Sequence, residues 1–169
     1  MENVLAFLVS MFVVVVFGLF SIFAIKNMYA SQGSFLQNEA VLAFRQLLES
    51  PLNETKNPPT IGIAMYRKEG DIIAVHPYIV NMTAVWRLKK SVLKNEDSYE
   101  ANKTGLVSKE DDFRIILYNG TTYIILGKNI TRSKVVSMSG YAFCPKYPGS
   151  DPFCPSNGNI TVKVIVTGD

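Results

Sequence analysis

The pattern of apolar and polar positions changes twice along the chain. From Asn3 to Ile25 (NVLAFLVSMFVVVVFGLFSIFAI) it is almost unbroken: no residue is charged, and Ser10, Gly18 and Ser21 are the small or polar interruptions. A helix built from that run has no face for water, and at about 1.5 Å per residue it is about as long as a bilayer's hydrocarbon core is thick. From Lys26 to Ser50 the apolar residues become periodic, with Met28, Phe35, Leu36, Ala40, Ala43, Phe44, Leu47 and Leu48 recurring at helical spacing. The two patterns together predict one helix from Asn3 to Ser50, about 70 Å long, hidden on every side in its first half and on one side in its second. Gly18 and Gly33 are its expected weak points, and Pro51 its stop.

Leu52 to Thr60, with the Pro58-Pro59 pair, is a loop that divides an N-terminal helix (1–50, membrane or filament core) from a β-rich head (51–169). Ile61–Arg67 and Ile72–Ile79 are expected as strands, with Pro77 driving the second to an edge or a bend. Ala84–Leu93 fits a strand or a short helix, with strand preferred, and the polar stretch Lys94–Asp112 is expected as a long loop. Phe113–Leu126 carries the clearest local signal, two β-branched and aromatic runs around Asn119-Gly120, the pair a type I′ hairpin turn requires. Ile130–Tyr141 and Asn159–Thr167 supply further strands. The expected fold class is α+β: a long hydrophobic N-terminal helix followed by an antiparallel β-sandwich head of immunoglobulin-like size.

Composition narrows the function. The 169 residues are 48% hydrophobic with a formal net charge of +3, which does not suggest a nucleic-acid partner. The densest basic patch, Arg87, Lys89, Lys90 and Lys94, is expected as a solvated face. The single histidine, His76, has no Ser or Cys arrangement around it, and no phosphate loop or HExxH-type motif occurs. The acidic groups Glu96-Asp97 and Glu110-Asp111-Asp112 lack the oxygen spacing and glycine of a calcium loop. No catalytic residue, cofactor or metal site is therefore expected, and the chain is read as a non-enzyme.

Six N-x-T sequons begin at Asn53, Asn81, Asn102, Asn119, Asn129 and Asn159, and none falls in the apolar run. With twelve asparagines and nine threonines in the chain, chance supplies about 0.6. They point to an external, N-glycosylated surface. Cys144 and Cys154 fit the same compartment, where a short even set of cysteines normally pairs, and they bracket the proline-rich loop CPKYPGSDPFC.

Orientation completes the reading. Glu2 before the run and Lys26 after it would put the C-terminal part in the cytoplasm by the positive-inside rule, whereas sequons and cysteines put it outside. A basic leader removed ahead of Met1 reconciles the two, and that is the processing logic of type IV pilins. The chain resembles an archaeal type IV pilin over its whole length: an uncharged N-terminal run, an amphipathic continuation, then a sequon-dense β-rich head. Bacterial pilins carry an acidic residue a few places in, where this chain has Leu5.

The resemblance implies a structural subunit of an extracellular pilus serving surface adhesion, a helical homopolymer in which Val4, Phe7, Leu8, Phe12, Val15, Leu19 and Ile22 pack against neighbouring copies. It also implies insertion in the membrane before assembly, and a prepilin peptidase and pilus assembly machinery as partners. The alternative is a single-pass membrane-anchored surface glycoprotein or binding module.

Overall fold

The computed structural model describes residues 11–12, 15–17, 21–22, 35–70, 72–131, 134–147 and 149–168. They belong to two compact units, Met1–Phe35 and Leu36–Asp169. In the first unit the described residues are helical, and Met11, Phe12, Val15, Phe17 and Ile22 are exposed. Among the described residues no helix is long and apolar enough to cross a membrane. The expectation of one long apolar N-terminal helix, and of a transmembrane helix, is corrected accordingly. Uniform hydrophobicity records that a segment avoids water; it does not record how far a helix continues. Val4, Phe7, Leu8, Gly18, Leu19 and Gly33 lie outside the described residues.

Among the described residues the first long helix is α1, residues 35–49, and it is amphipathic. Leu36, Ala40, Ala43, Phe44, Leu47 and Leu48 are buried, at the i, i+4, i+7, i+8 spacing that puts them on one stripe, while Gln37, Asn38, Leu42 and Arg45 face water. Pro51 follows the end of the helix, and the chain's return supplies partners for its last carbonyls: the Ile63 amide donates to Leu47 (2.8 Å) and the Ala64 amide to Ser50 (3.0 Å). Gly62 sits against this turn so closely that a Cβ there would lie 2.1 Å from the Ser50 carbonyl oxygen.

Among the described residues six strands follow: β1 Ala64–Glu69, β2 Ile72–Val80, β3 Asp112–Tyr118, β4 Tyr123–Gly127, β5 Lys134–Phe143 and β6 Asn159–Gly168. They form one mixed sheet in the order β1-β2-β5-β6-β3-β4, curled as a half-barrel. Its centre is the antiparallel set β5-β6-β3-β4, and the β1-β2 hairpin joins at one parallel bridge, Ile79 to Phe143. The register of β1 and β2 slips between Ala64 and Met65, opposite Pro77–Ile79, where Tyr78 takes a positive φ of 60°. The expected bend at Pro77 is this bulge.

The single sheet corrects the expected sandwich. Phe113, Ile115, Leu117, Ile124, Leu126, Ile160, Val162, Val164 and Val166 all enter one core, and α1 enters the same core with its apolar stripe. Alternation along a strand shows that one face is buried, but a helix can bury it as well as a second sheet can. The close fit is visible at Gly140 on β5, where an added Cβ would lie 2.8 Å from the ring of Phe44 on α1.

The rest of the covering layer comes from the segment expected as strand and loop. It forms α2 (Met82–Arg87), a widened π-type turn (Leu88–Val92), α3 (Glu96–Asn102) and a 3-10 turn (Lys103–Gly105). Asn81 caps α2 by accepting from the amides of Thr83 and Ala84, and Asn95 caps α3 by accepting from Ser98. Val85, Leu88 and Val92 then fall on one buried side. At the β3–β4 hairpin the loop is Asn119–Thr122 and Gly120 alone has positive φ, so the expected type I′ turn is replaced by a four-residue loop. The Asn119 carboxamide closes it by accepting from the amides of Thr121 (2.9 Å) and Thr122 (2.8 Å).

Candidate glycosylation surface

The six sequon asparagines lie in six different local settings. Asn53 stands in the exposed loop between α1 and β1, tied by a two-way backbone bridge to Thr60 (3.1 and 3.0 Å). Its Oδ1 accepts from the amide (3.0 Å) and hydroxyl (2.6 Å) of Thr55. Asn81 is the α2 cap and is half-buried. Asn102 ends α3 and donates both hydrogens of its Nδ2, to the carbonyls of Val92 (2.9 Å) and Ser98 (2.8 Å).

Asn119 donates from Nδ2 to the Phe153 carbonyl (2.8 Å), linking the hairpin loop to the disulfide loop. Asn129 is exposed and accepts from Arg114 (3.1 Å), and Asn159 is exposed at the start of β6. Asn53 and Asn81 line one and the same cleft, described below.

Cys144 and Cys154 are disulfide-bonded, with Cα atoms 5.3 Å apart. The loop they close is anchored from outside: the Trp86 indole N–H donates to the carboxylate of Asp151, and the Cys144 amide donates to the Gly158 carbonyl (2.7 Å). A cleft of about 380 Å³ lies between this loop and α2, with Met82, Trp86, Tyr147 and Asp151 among its walls. A second cleft, of about 640 Å³, lies beside Asn53, between the loop after α1, the β1-β2 hairpin and α2. Tyr66, Ile73 and Arg87 are among its walls.

The acidic stretch expected as a long loop carries a charge network. Lys128 bridges Glu96 (2.6 Å) and Glu100 (3.1 Å), and Lys103 bridges Glu100 (3.0 Å) and Asp112 (3.2 Å). The hydrogen bonds from Lys103 and Lys128 lower the pKa of Glu100, and those to Glu96 and Glu100 raise that of Lys128. Burial opposes the charge on Lys103, but its bonds to Glu100 and Asp112 prevail and its pKa is raised. Tyr99 packs its ring 5.2 Å from Phe113 and its hydroxyl accepts from the Phe113 amide (2.7 Å). Burial pushes that phenol's pKa upward.

A second buried contact joins α1 to the loop ahead of β3. Glu39 accepts from the Ser108 amide, and its buried carboxyl lies beside that of Asp111. Nothing in the sequence pairs Glu39 with Ser108, because the partners are 69 positions apart. Caps such as Asn81 and Asn95 were legible as Asn followed by helix-compatible residues, and would have located α2 and α3.

Arg87, Lys89, Lys90 and Lys94 are exposed, with the Lys89 ammonium 5.6 Å from the Trp86 ring centroid. His76 is exposed on β2. Among the described residues, no group of three His, Cys, Asp or Glu side chains could hold a metal ion. Of the residues expected to pack in a filament core, Phe12, Val15 and Ile22 are described and exposed in the single chain.

No protein-family model, no curated protein and no solved structure matches this chain. Nothing in those comparisons identifies a type IV pilin, and the resemblance rests on the residues that carry it.

Proposed function

We propose that the chain is a structural subunit of an extracellular pilus assembly: copies associate through the uncharged run Asn3–Ile25, and the β-rich, glycosylated heads form the outer surface, serving adhesion. The observation that carries this reading is the contrast between the two apolar segments. The stripe of α1 is consumed within its own head, where Leu36, Ala40, Ala43, Phe44, Leu47 and Leu48 are buried. Phe12, Val15, Phe17 and Ile22 are exposed in the single chain. Apolar surface of this kind gains about 25 cal/mol per Å² when another apolar surface covers it, and a subunit that meets copies of itself there gains on every flank of the segment.

The disulfide between Cys144 and Cys154 supports an oxidising, external compartment for the head. Six sequons, all in the head, support the same placement. In this reading, processing by a prepilin peptidase and handling by pilus assembly machinery precede polymerisation from the membrane.

Negative-stain microscopy of material sheared from the cell surface, with mass spectrometry of the filaments, tests the proposal. Thin filaments composed mainly of this chain are the expected result. Recovery of the chain only in the detergent-soluble membrane fraction would favour the monomeric anchored glycoprotein instead.

A further inference from the structure

The six sequons are equivalent in sequence and unequal on the folded head. In Asn81-Met82-Thr83 the middle residue is the buried first residue of α2, and in Asn159-Ile160-Thr161 it is a core residue of β6. In Asn102-Lys103-Thr104 it is the buried Lys103, paired with Asp112. Presenting any of these as an accessible turn to a transferring enzyme would drag a core residue into water.

The side-chain amide itself discriminates further, because an N-glycosidic bond replaces one of the two hydrogens on Nδ2. Asn102 uses both hydrogens inside the fold, and Asn119 uses one on the Phe153 carbonyl. Asn53 meets both conditions: its middle residue, Glu54, is exposed, and the bonds to its carboxamide are made to Oδ1 by Thr55.

Asn53 also stands at the rim of the cleft of about 640 Å³, where Tyr66 and Ile73 are 48% and 58% exposed. A pyranose has an apolar C–H face and a rim of hydroxyls. Tyr66 and Ile73 offer surface for the first, and Arg87 and Thr83 offer hydrogen-bond partners for the second.

We propose that this cleft is the seat of an N-linked glycan carried by the chain's own Asn53, an inference that rests on the extracellular reading above. Attachment forms a bond between Nδ2 and the anomeric carbon of the sugar. The carbon–oxygen bond of an activated, lipid-carried glycosyl phosphate breaks, the phosphate leaves with the electron pair, and the proton lost from Nδ2 passes to the medium. Once attached, the glycan folds back over Tyr66 and Ile73 and covers the β1-β2 hairpin.

Glycopeptide mapping of the full chain purified from the cells that make it tests the attachment. Modified Asn53 and unmodified Asn102 are expected; unmodified Asn53, or comparable occupancy at Asn102, overturns the proposal. Amide hydrogen exchange tests the seat, using Thr55→Ala, which destroys the sequon while keeping Asn53, and Thr55→Ser, which preserves it. Exchange at Tyr66 and Ile73 is expected to run several-fold faster in Thr55→Ala and to return to the parent rate in Thr55→Ser. Equal rates in all three chains would mean that the glycan does not occupy the cleft. Neither readout needs filaments: filaments built of chains unmodified at Asn53 sink this inference alone, and modified chains found outside any filament sink the pilus reading alone.

Discussion

The Lys103 ammonium lies 3.2 Å from Asp112 Oδ1, with the two side chains only 7% and 8% exposed. The pair joins the 3-10 turn after α3 to the first residue of β3. Removing Lys103 takes the ammonium away from the buried Asp112 carboxylate, which keeps the Tyr99 hydroxyl (3.4 Å), whereas replacing both partners removes that mismatch. Lys103→Met is therefore expected to cost about 3 kcal/mol, and Lys103→Met with Asp112→Asn less than the sum of the single changes. Urea denaturation of the four chains gives the coupling, and additive losses would show that the pair does not act as a unit.

Glu39 is expected to make the docking of α1 pH-dependent. Burial, reinforced by Asp111 beside it, raises its pKa from 4.5 to about 7, against the opposing hydrogen bonds from Ser108. The folded state then holds a proton that the unfolded state has released, so stability falls as pH rises from about 4.5 to about 7. Below that window the contribution is fully present, and above it it is lost. Thermal melts of the parent chain and Glu39→Gln at pH 5 and pH 8 check this. The parent should lose more between the two values than the variant, which carries no titrating group at that position.

The contact between Gly140 and Phe44 has no slack. Gly140→Val puts a branched side chain where a single Cβ already falls 2.8 Å from the Phe44 ring. A loss of about 1–3 kcal/mol is expected, the usual cost of overpacking. Gly140→Val with Phe44→Leu should recover part of it, as read from denaturation midpoints. No recovery would mean that the strain lies in β5 itself.

Val15 is exposed in the single chain and belongs to the run proposed to join copies. Val15→Asp should abolish filaments while leaving the circular dichroism and melting of the head unchanged, because the head's core begins at Leu36. Filaments assembled from this variant would rule out association through the apolar run.

Several features of the head were legible from local pattern alone. The stripe Leu36, Ala40, Ala43, Phe44, Leu47 and Leu48 announces a helix with one dry face, and those residues are buried. The strands on either side of Asn119-Gly120 announce a hairpin, and β3 and β4 pair there from Tyr118 and Tyr123 onward. In each case the information is local, because spacing along the chain sets which side chains share a face.

Ala84–Leu93 was misassigned for a related reason. Val85, Leu88 and Val92 fit a short helix, but β-branched and apolar residues in a run of ten fit a strand as well, and Asn81 ahead of the run is the cap signal that favours the helix. Lys103, Asp111 and Asp112 fall in the polar stretch expected as a long loop, and their burial has no signal in the local pattern. They are buried with their polar partners: Lys103 meets Asp112 across nine positions, and Asp111 accepts from the nearby Ser108 hydroxyl.

By itself, then, the sequence determined the uncharged run Asn3–Ile25, the dry stripe of α1, most of the strands, the cysteine pair and the six sequons, all properties of neighbours along the chain. Only the tertiary structure decided that one sheet is closed by helices, that Glu39 meets Ser108, and that Asn102 spends its amide inside the fold while Asn53 does not. The physical reason is that a pattern records which side of a segment leaves water, whereas what covers that side is set by residues far away in sequence, and only the assembled core brings them together.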